Sequence, residues 1–373
     1  MSSVVIDLGK CYTKIGEATD EAPRVVLPSL YCSTDDEFIM CAADKHKLEH
    51  YFGFDAFRRE GVLKQHSFFD SDREVSDSYI VGKFLQQAMI DHFPNGEISH
   101  ENAIVLDKPF TSTKTKKHLA LAMIEENKCQ RYLALPDYIG SLYSTGKSTG
   151  IVLSCGYSMT YGAAIYDGIP SPLTITESSI NAQMIESDYR EILRDIGYIK
   201  NQKGDKTLGK VTMTQTRKFF EDNALTSSPN NPNERLKVKL PDGTDFELPQ
   251  RDLTDPFEQY FTNNQMGLRS LQSLISEAAK MLSPFSREQL LGNIVLEGGI
   301  ANVPQFYERL YSELHKEKMP KTKLAVTSNR FLLAWTGAAK LKDWFDENKT
   351  WIDNKSLNEK GIERAMAEIC RAY

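Results

Sequence analysis

The sequence predicts an α/β fold made of two similar lobes. A short phrase occurs twice, Val4-Val5-Ile6-Asp7-Leu8-Gly9 near the start and Ile151-Val152-Leu153-Ser154-Cys155-Gly156 in mid-chain. Each is an apolar strand run that leads through a small polar residue (Asp7, Ser154) to a glycine. That arrangement lets a hairpin bring backbone N–H groups close to a phosphate. After both phrases, strand-length apolar runs alternate with helical stretches, as in a largely parallel sheet with helical crossovers. At 373 residues the chain exceeds one ordinary core and fits two lobes of roughly 150–200 residues each. The repetition implies a duplicated unit that clamps one nucleotide between its halves.

The elements follow in order. Val4–Leu8, Tyr12–Ile15 and Arg24–Leu27 make a strand meander ending at Pro28. Residues 32–65 are polar and irregular, with turn points at Gly53 and Gly61, and suggest a surface insertion. A helix over 77–93, the strand Ala103–Leu106, a helix over 112–127, the strand Arg131–Leu135 and a short helix Ile139–Ser144 complete the first series. The second opens with Ile151–Leu153 and Thr160–Tyr166, and continues through helices over 181–196 and 211–222. Residues 199–210 are polar, and 224–234 have the Ser, Pro and Asn content of a loop. Pro241-Asp242-Gly243-Thr244 is the turn between strands Lys237–Leu240 and Asp245–Leu248. A helix over 266–282, the strand Asn293–Leu296, a helix over 304–317, the strand Lys323–Val326 and a helix over 331–345 follow, with a polar tail from 346.

Composition narrows the function. Hydrophobic residues make up 40% and charged residues 26%, a globular balance. A net charge of −6 argues against direct nucleic-acid binding, which needs excess Lys and Arg to neutralise phosphates. The six cysteines (Cys11, Cys32, Cys41, Cys129, Cys155, Cys370) show no short paired spacing. Zinc and a disulfide framework are therefore not expected, and a reducing compartment is. Neither a leader peptide nor a membrane span is expected, since a strand begins at Val4 and no apolar run is long enough.

Many further phrases accompany the repeat. They include Lys14-x-Gly16, Glu21-Ala22-Pro23-Arg24, Pro28-Ser29, Ser141-Leu142-Tyr143-Ser144-Thr145-Gly146 and Thr149-Gly150-Ile151-Val152. Others are Ile165-Tyr166-Asp167-Gly168, Leu240-Pro241-Asp242-Gly243, Val295-Leu296-Glu297-Gly298-Gly299, Trp335-Thr336-Gly337 and Trp351-Ile352. In this order and spacing the chain resembles actin and the actin-related proteins over nearly its full length. The resemblance implies an actin-like duplicated ATPase fold, two lobes around a central nucleotide cleft. It places the first lobe at 1–145 with the insertion at about 32–65, and the second at 146–332 with an insertion at about 181–262. The segment 333–373 would return to the first lobe.

The same resemblance assigns site residues. Asp7, Gly9 and Lys14 match the first phosphate loop, where the family uses an aspartate for the metal's water shell, backbone donors, and a lysine for the β- and γ-phosphates. Lys10 replaces the family's serine, either as an extra phosphate contact or as a surface lysine. Gly156 matches the second loop, but the family's Asp-x-Gly-Asp-Gly reads Ser154-Cys155-Gly156-Tyr157-Ser158 here, so both acidic positions are neutral. A magnesium held through waters by carboxylates loses most of its field there. Pro136 or Asp137 falls at the water-positioning glutamine, and Tyr161 at the assisting histidine. Proline cannot orient water, whereas Asp137 could act as a base. Gly298 and Gly299 match the turn near the adenosine, Phe331 replaces a lysine beside the adenine, and Thr216-Arg217 falls at the ribose-contacting pair. ATP or ADP binding is open on this reading, with magnesium weak or absent and hydrolysis lost.

The family's main docking groove would be lined by Tyr143, Gly168, Ile169 and Ile352, with Leu341 and Trp344 on the facing helix. An exposed apolar groove usually marks a partner site. The insertion and the C-terminal residues differ from actin's, which disfavours uniform head-to-tail polymerisation. The expectation is a divergent actin-related structural subunit of a cytoskeletal or motor-associated complex, bound to protein partners such as actin or other actin-related subunits. It would be cytoplasmic and cytoskeletal, with a nuclear chromatin-remodelling role as one alternative and an ATP-binding filament former as another. A small-molecule kinase of the same fold ranks last, because only Asp137 could serve as its base.

Overall fold

The computed structural model describes residues 2–34, 50–94, 101–198, 211–226, 234–262, 264–265, 267–316, 322–348, 351–353 and 364. The expectations for residues 35–49 of the 32–65 insertion, for 199–210, for most of the 224–234 loop and for the C-terminal residues lie outside that set, as do Cys41 and Cys370. The chain divides into two units. The first holds Met1–Ser148, Asp167–Pro170 and Leu332–Tyr373; the second holds Thr149–Tyr166 and Ser171–Phe331.

The first unit opens with β1 (Ser3–Leu8), β2 (Tyr12–Glu17) and β3 (Val25–Pro28), an antiparallel meander. Val4, Val5 and Ile6 are fully buried, because β1 is covered on both faces as parallel-sheet strands are. The described residues on either side of 35–49 are more regular than the polarity of 32–65 suggests. They include β4 (Leu30–Ser33), β5 (His50–Phe52), the short helix α1 (Gly53–Phe57) and β6 (Gln65–Ser67), and β4 pairs with both β5 and β6. Tyr31 stacks on His66 and Phe68 with ring centroids 5.2 and 5.5 Å apart, so aromatic contacts hold this small sheet.

Helix α2 (Ser78–His92) starts where the Asp77 carboxylate accepts from the Tyr79 and Ile80 N–H groups. Strand β7 (Asn102–Asp107) lies parallel to β1. The expected 112–127 helix divides into α3 (Thr113–Leu121) and a π turn, Ala122–Glu126. The buried Asn127 side chain ends it by donating to Ala122 O at 2.7 Å and Gly82 O at 3.2 Å. Strand β8 (Arg131–Pro136) is parallel to β7 and runs directly into α4 (Asp137–Ser144).

The second unit repeats the opening. Strands β9 (Gly150–Cys155) and β10 (Thr160–Tyr166) form an antiparallel hairpin. After β11 (Ile169–Pro170), which belongs to the first unit, β12 (Thr176–Ser178) pairs with β10. Helices α5 (Ala182–Asp195) and α6 (Met213–Asn223) precede the hairpin β13 (Arg235–Lys239) and β14 (Asp245–Pro249). Helix α7 (Gln250–Thr262) was not expected; its internal Pro256 disguises it in sequence. A short hairpin of β15 (Asn264–Gln265) and β16 (Leu268–Arg269) displaces the start of the expected 266–282 helix, so that α8 spans Leu271–Lys280.

Helix α9 (Pro284–Leu291), also unexpected, leads to β17 (Ile294–Glu297), parallel to β9, and α10 (Phe306–Lys316) follows. The expected strand Lys323–Val326 amounts to a single bridge from Leu324 to Ile294. Tyr189, Phe219, Phe257, Tyr260 and Phe306 fill the core against the sheet.

The chain returns to the first unit through α11 (Leu333–Lys340), α12 (Lys342–Asn348) and β18 (Ile352–Asp353). One helix over 331–345 was expected; the helix breaks at Leu341 instead. Helix α11 crosses α4 so closely that a Cβ on Gly337 would overlap the Gly140 carbonyl. The Trp335 indole donates to Val5 O at 2.9 Å, and β18 completes the sheet order β18-β8-β7-β1-β2-β3.

Candidate functional site

The two opening hairpins have the same backbone. Gly9 N–H donates to Tyr12 O at 3.2 Å and Gly156 N–H to Met159 O at 2.9 Å. A Cβ on either glycine would lie 2.7 or 2.9 Å from that same carbonyl oxygen. Asp7 faces Lys14 across the first hairpin, and Ser154 faces Tyr161 across the second. The register thus places Ser154 opposite Tyr161 as Asp7 is opposite Lys14.

In the first unit this position is charged. Asp7 is 1% exposed, and the Lys14 ammonium lies 2.6 Å from its Oδ2. Burial pushes the Asp7 carboxyl up, but the Lys108 and Lys14 ammoniums outweigh it and bring it down to about 2. Lys108 sits just past the end of β7. Its Nζ is 3.4 Å from Asp7 Oδ1 and 2.8 Å from Oδ2 of Asp137, which is fully buried. Asp137 opens α4, and its Oδ1 accepts from Tyr138 N–H at 2.8 Å. Of the two residues weighed at the family's glutamine position, Pro136 ends β8 and Asp137 carries the inward carboxylate. That carboxylate is engaged by a lysine and a backbone donor. Lys10 turns toward the loop at Asp70, donating to Asp70 O at 3.4 Å, and burial beside Arg73 lowers its pKa.

In the second unit the hairpin residues at the same level are neutral, and the nearest carboxylate is the buried Glu297, which stands beside Ser154 on β17. Ser154 and Tyr161 are buried, and burial pushes the Cys155 thiol well up, so it stays protonated. The Tyr157 hydroxyl donates to Glu186 Oε2 at 2.6 Å. Arg217 approaches the same pair: its Nε is 3.5 Å from Glu186 Oε1, its Nη2 is 3.4 Å from the Tyr157 hydroxyl, and its guanidinium lies 5.4 Å from the Tyr157 ring centre. The tyrosine at the second acidic position and the arginine near the ribose pair are therefore tied together through Glu186. Thr216 instead bonds back to Thr212 O at 2.9 Å.

The glycines after β17 differ from each other. Gly298 has φ +106°, and a Cβ there would overlap the Cys155 backbone, so packing alone requires glycine. Gly299 is exposed, its φ is −63°, and its nearest neighbour to an added Cβ is Phe331 at 3.8 Å, so neither backbone nor packing requires glycine there.

The residues expected to line a docking groove belong to the first unit. Ile169 is 68% exposed and Trp344 47%, while Tyr143 and Leu341 are half-buried. Gly168 has φ +78°, donates to Ser148 O at 2.8 Å, and leaves room for the Tyr143 hydroxyl. Ile352 is different. At 3% exposure and paired with Tyr132, it is part of the sheet and lines no open surface.

Duplicated hairpins, each followed by parallel strands and ending in a glycine turn, define an actin-like α/β architecture. The Actin family model matches residues 1–224 and 210–370, and the chain belongs to the actin family.

A divalent cation, which that family implies, can be tested against these residues. Magnesium held through water needs acidic oxygens free to accept from that water. Here Asp7 Oδ2 and both Asp137 oxygens already accept from ammonium or N–H groups, and Asp7 Oδ1, which accepts no hydrogen bond, has the Lys108 ammonium 3.4 Å away, a charge that repels a cation there. In the second hairpin Ser154, Cys155 and Tyr157 bring no carboxylate, and among the described residues no three His, Cys, Asp or Glu side chains come together as a metal set. The residues do not fit the group.

Sequence reasoning missed Lys108 and Glu186. A usable signal existed for Lys108: it follows the expected strand Ala103–Leu106, and the carboxyl ends of parallel strands are where α/β sheets place functional groups. Nothing in the local sequence of Glu186 distinguishes it from other helical glutamates.

Proposed function

We propose that this chain is a divergent actin-related protein that works as a structural subunit of a cytoskeletal or motor-associated assembly, in the cytoplasm, with hydrolysis lost. One observation carries the reading. The side chains at the positions that would run hydrolysis are committed to one another, Asp7 and Asp137 through Lys108 and Tyr157 to Glu186 and Arg217. Activating a water requires a base free to accept its proton and a field that favours the departing phosphate. Asp137 meets the first requirement only by giving up Lys108.

The half-exposed first-unit residues Ile169, Leu341, Trp344 and Tyr143 are the surface on which a protein partner, actin or another actin-related subunit, would seat an apolar segment. Among the described residues no helix is long and apolar enough to cross a membrane.

A second reading, an ATP-binding filament former, is favoured by the retained hairpin backbones with Gly9 and Gly156, by Lys14, and by Gly299, which packing does not require. The discriminating experiment combines pelleting with phosphate release, using the purified protein with ATP. The subunit reading expects no concentration-dependent polymer and no phosphate release above buffer. Cooperative assembly with magnesium-dependent turnover at an ordinary actin-like rate overturns it.

A further inference from the structure

The charges around Asp7 gather within one unit, next to the Asp107–Lys116 ion pair. Asp7 and Asp137 are two buried carboxylates, and Lys14 and Lys108 are the two ammoniums facing them. Burying an ionised carboxylate is costly unless it is paired and hydrogen-bonded. Here Asp7 Oδ2 faces Lys14, Asp7 Oδ1 faces Lys108, Asp137 Oδ2 faces Lys108, and Asp137 Oδ1 accepts from Tyr138 N–H. These four groups carry no net charge; three of the four carboxylate oxygens accept a hydrogen bond, and Asp7 Oδ1, which accepts none, has the Lys108 ammonium 3.4 Å away.

Lys108 is also held from behind. Its carbonyl accepts from Thr111 N–H at 3.2 Å and from the Thr111 hydroxyl at 2.7 Å, which fixes the turn between β7 and α3 that carries the partly exposed side chain. A cation tethered in a hydrogen-bonded turn beside two buried carboxylates can neutralise them as a bound divalent ion would, without leaving when the medium changes.

We propose that Lys108 is a tethered counter-ion that takes the place of a divalent cation in the first unit, making the stability of this hairpin independent of magnesium. The proposal goes beyond the subunit reading and concerns neither polymerisation nor phosphate release, so the two stand or fall separately. Adding a doubly charged ion to a neutral set requires displacing an ammonium, which the fixed Lys108 backbone resists.

The test is thermal unfolding of the purified full chain, without added nucleotide, in magnesium and in chelator, together with binding of manganese followed by its electron paramagnetic signal. The wild type is expected to melt at the same temperature in both media and to leave manganese free. Lys108→Arg should behave the same way. Lys108→Met should melt lower in chelator, recover part of the loss in magnesium or manganese, and bind manganese in a manner abolished by adding Asp7→Asn.

A wild-type melting temperature that rises with magnesium, or tight manganese binding by the wild type, overturns the proposal. So does a Lys108→Met loss that neither metal recovers, which would leave Lys108 as an ordinary ion pair. If Lys108→Met does not fold, the wild-type and Lys108→Arg measurements decide alone.

Discussion

The β1/β2 hairpin and the β9/β10 hairpin share a backbone and differ in charge. Both turn on a glycine whose N–H closes onto the carbonyl three residues on, and both are buried beside a parallel strand. In the first, Asp7 and Lys14 face each other as a buried ion pair; in the second, Ser154 and Tyr161 do so as neutral groups. Backbone hydrogen bonding and apolar burial keep a hairpin folded whatever its side-chain chemistry. Charges persist only where each finds a partner. The comparison separates what the fold needs from what a reaction would need.

The largest expected effect comes from moving charge between the hairpins. Ser154→Asp restores the acidic residue typical of the family, yet it should destabilise the protein by about 3–5 kcal/mol, as an uncompensated buried charge does. Its strand neighbours would be Tyr161 and Glu297, and the latter is itself a buried carboxylate. Removing charge from the first hairpin with Lys14→Met should cost about 3 kcal/mol, at the lower end of that range because Lys108 still faces Asp7. Denaturant midpoints for both variants check this. A neutral or stabilising Ser154→Asp would mean that the second hairpin still supplies a cation.

Much of the architecture was legible because the central strands are buried on both faces. Val4–Ile6, Ala103–Leu106 and Ile151–Leu153 are uninterrupted apolar runs, and such runs name their own position in a sheet. The edges were less legible. Around Tyr31 the stabilising contacts are cross-strand ring stacks with His66 and Phe68, which a polar composition conceals. The break at Leu341 leaves helical periodicity intact on both sides, so nothing local announces it. For the site, the sequence shows the neutral residues at Ser154 and Tyr157, but not which side chains meet around Asp7 or around Tyr157. Lys108, Asp7 and Asp137 lie far apart in the chain and meet only because β1, β7 and α4 converge. Glu186 likewise becomes a partner of Tyr157 and Arg217 only through the packing of α5 and α6.

A smaller effect separates the hairpins by acidity. Asp7 is held at about 2, below its ordinary 3.8. A carboxyl depressed in the folded state adds stability above its unfolded pKa and loses it as pH falls through the folded value. The contribution should therefore be complete above about pH 4 and fade toward about pH 2, a loss of roughly 2 kcal/mol. Chemical denaturation across that window should show a steeper acid limb for the wild type than for Asp7→Asn. Substituting Ser154 with alanine should alter the acid limb less than Asp7→Asn does, since it removes no carboxyl and leaves the neighbouring Glu297 in place. Parallel acid limbs for the wild type and Asp7→Asn would remove Lys14 and Lys108 as the cause of the depression.

The smallest expected effect concerns what the two hairpins share. A Cβ at Gly9 would come 2.7 Å from Tyr12 O, and one at Gly156 2.9 Å from Met159 O. Both contacts are with backbone, which yields less readily than a side-chain tip, so Gly9→Ala and Gly156→Ala should each cost roughly 1–2 kcal/mol through overpacking. The costs should agree within about 0.5 kcal/mol, because alanine adds the same methyl to the same turn and neither change touches the Asp7 pair. Thermal or urea unfolding of the two variants measures the difference directly. A much larger loss at Gly9 alone would mean that its turn is coupled to the Asp7, Lys14 and Lys108 charges, and that the backbones of the two hairpins are not independent of their chemistry.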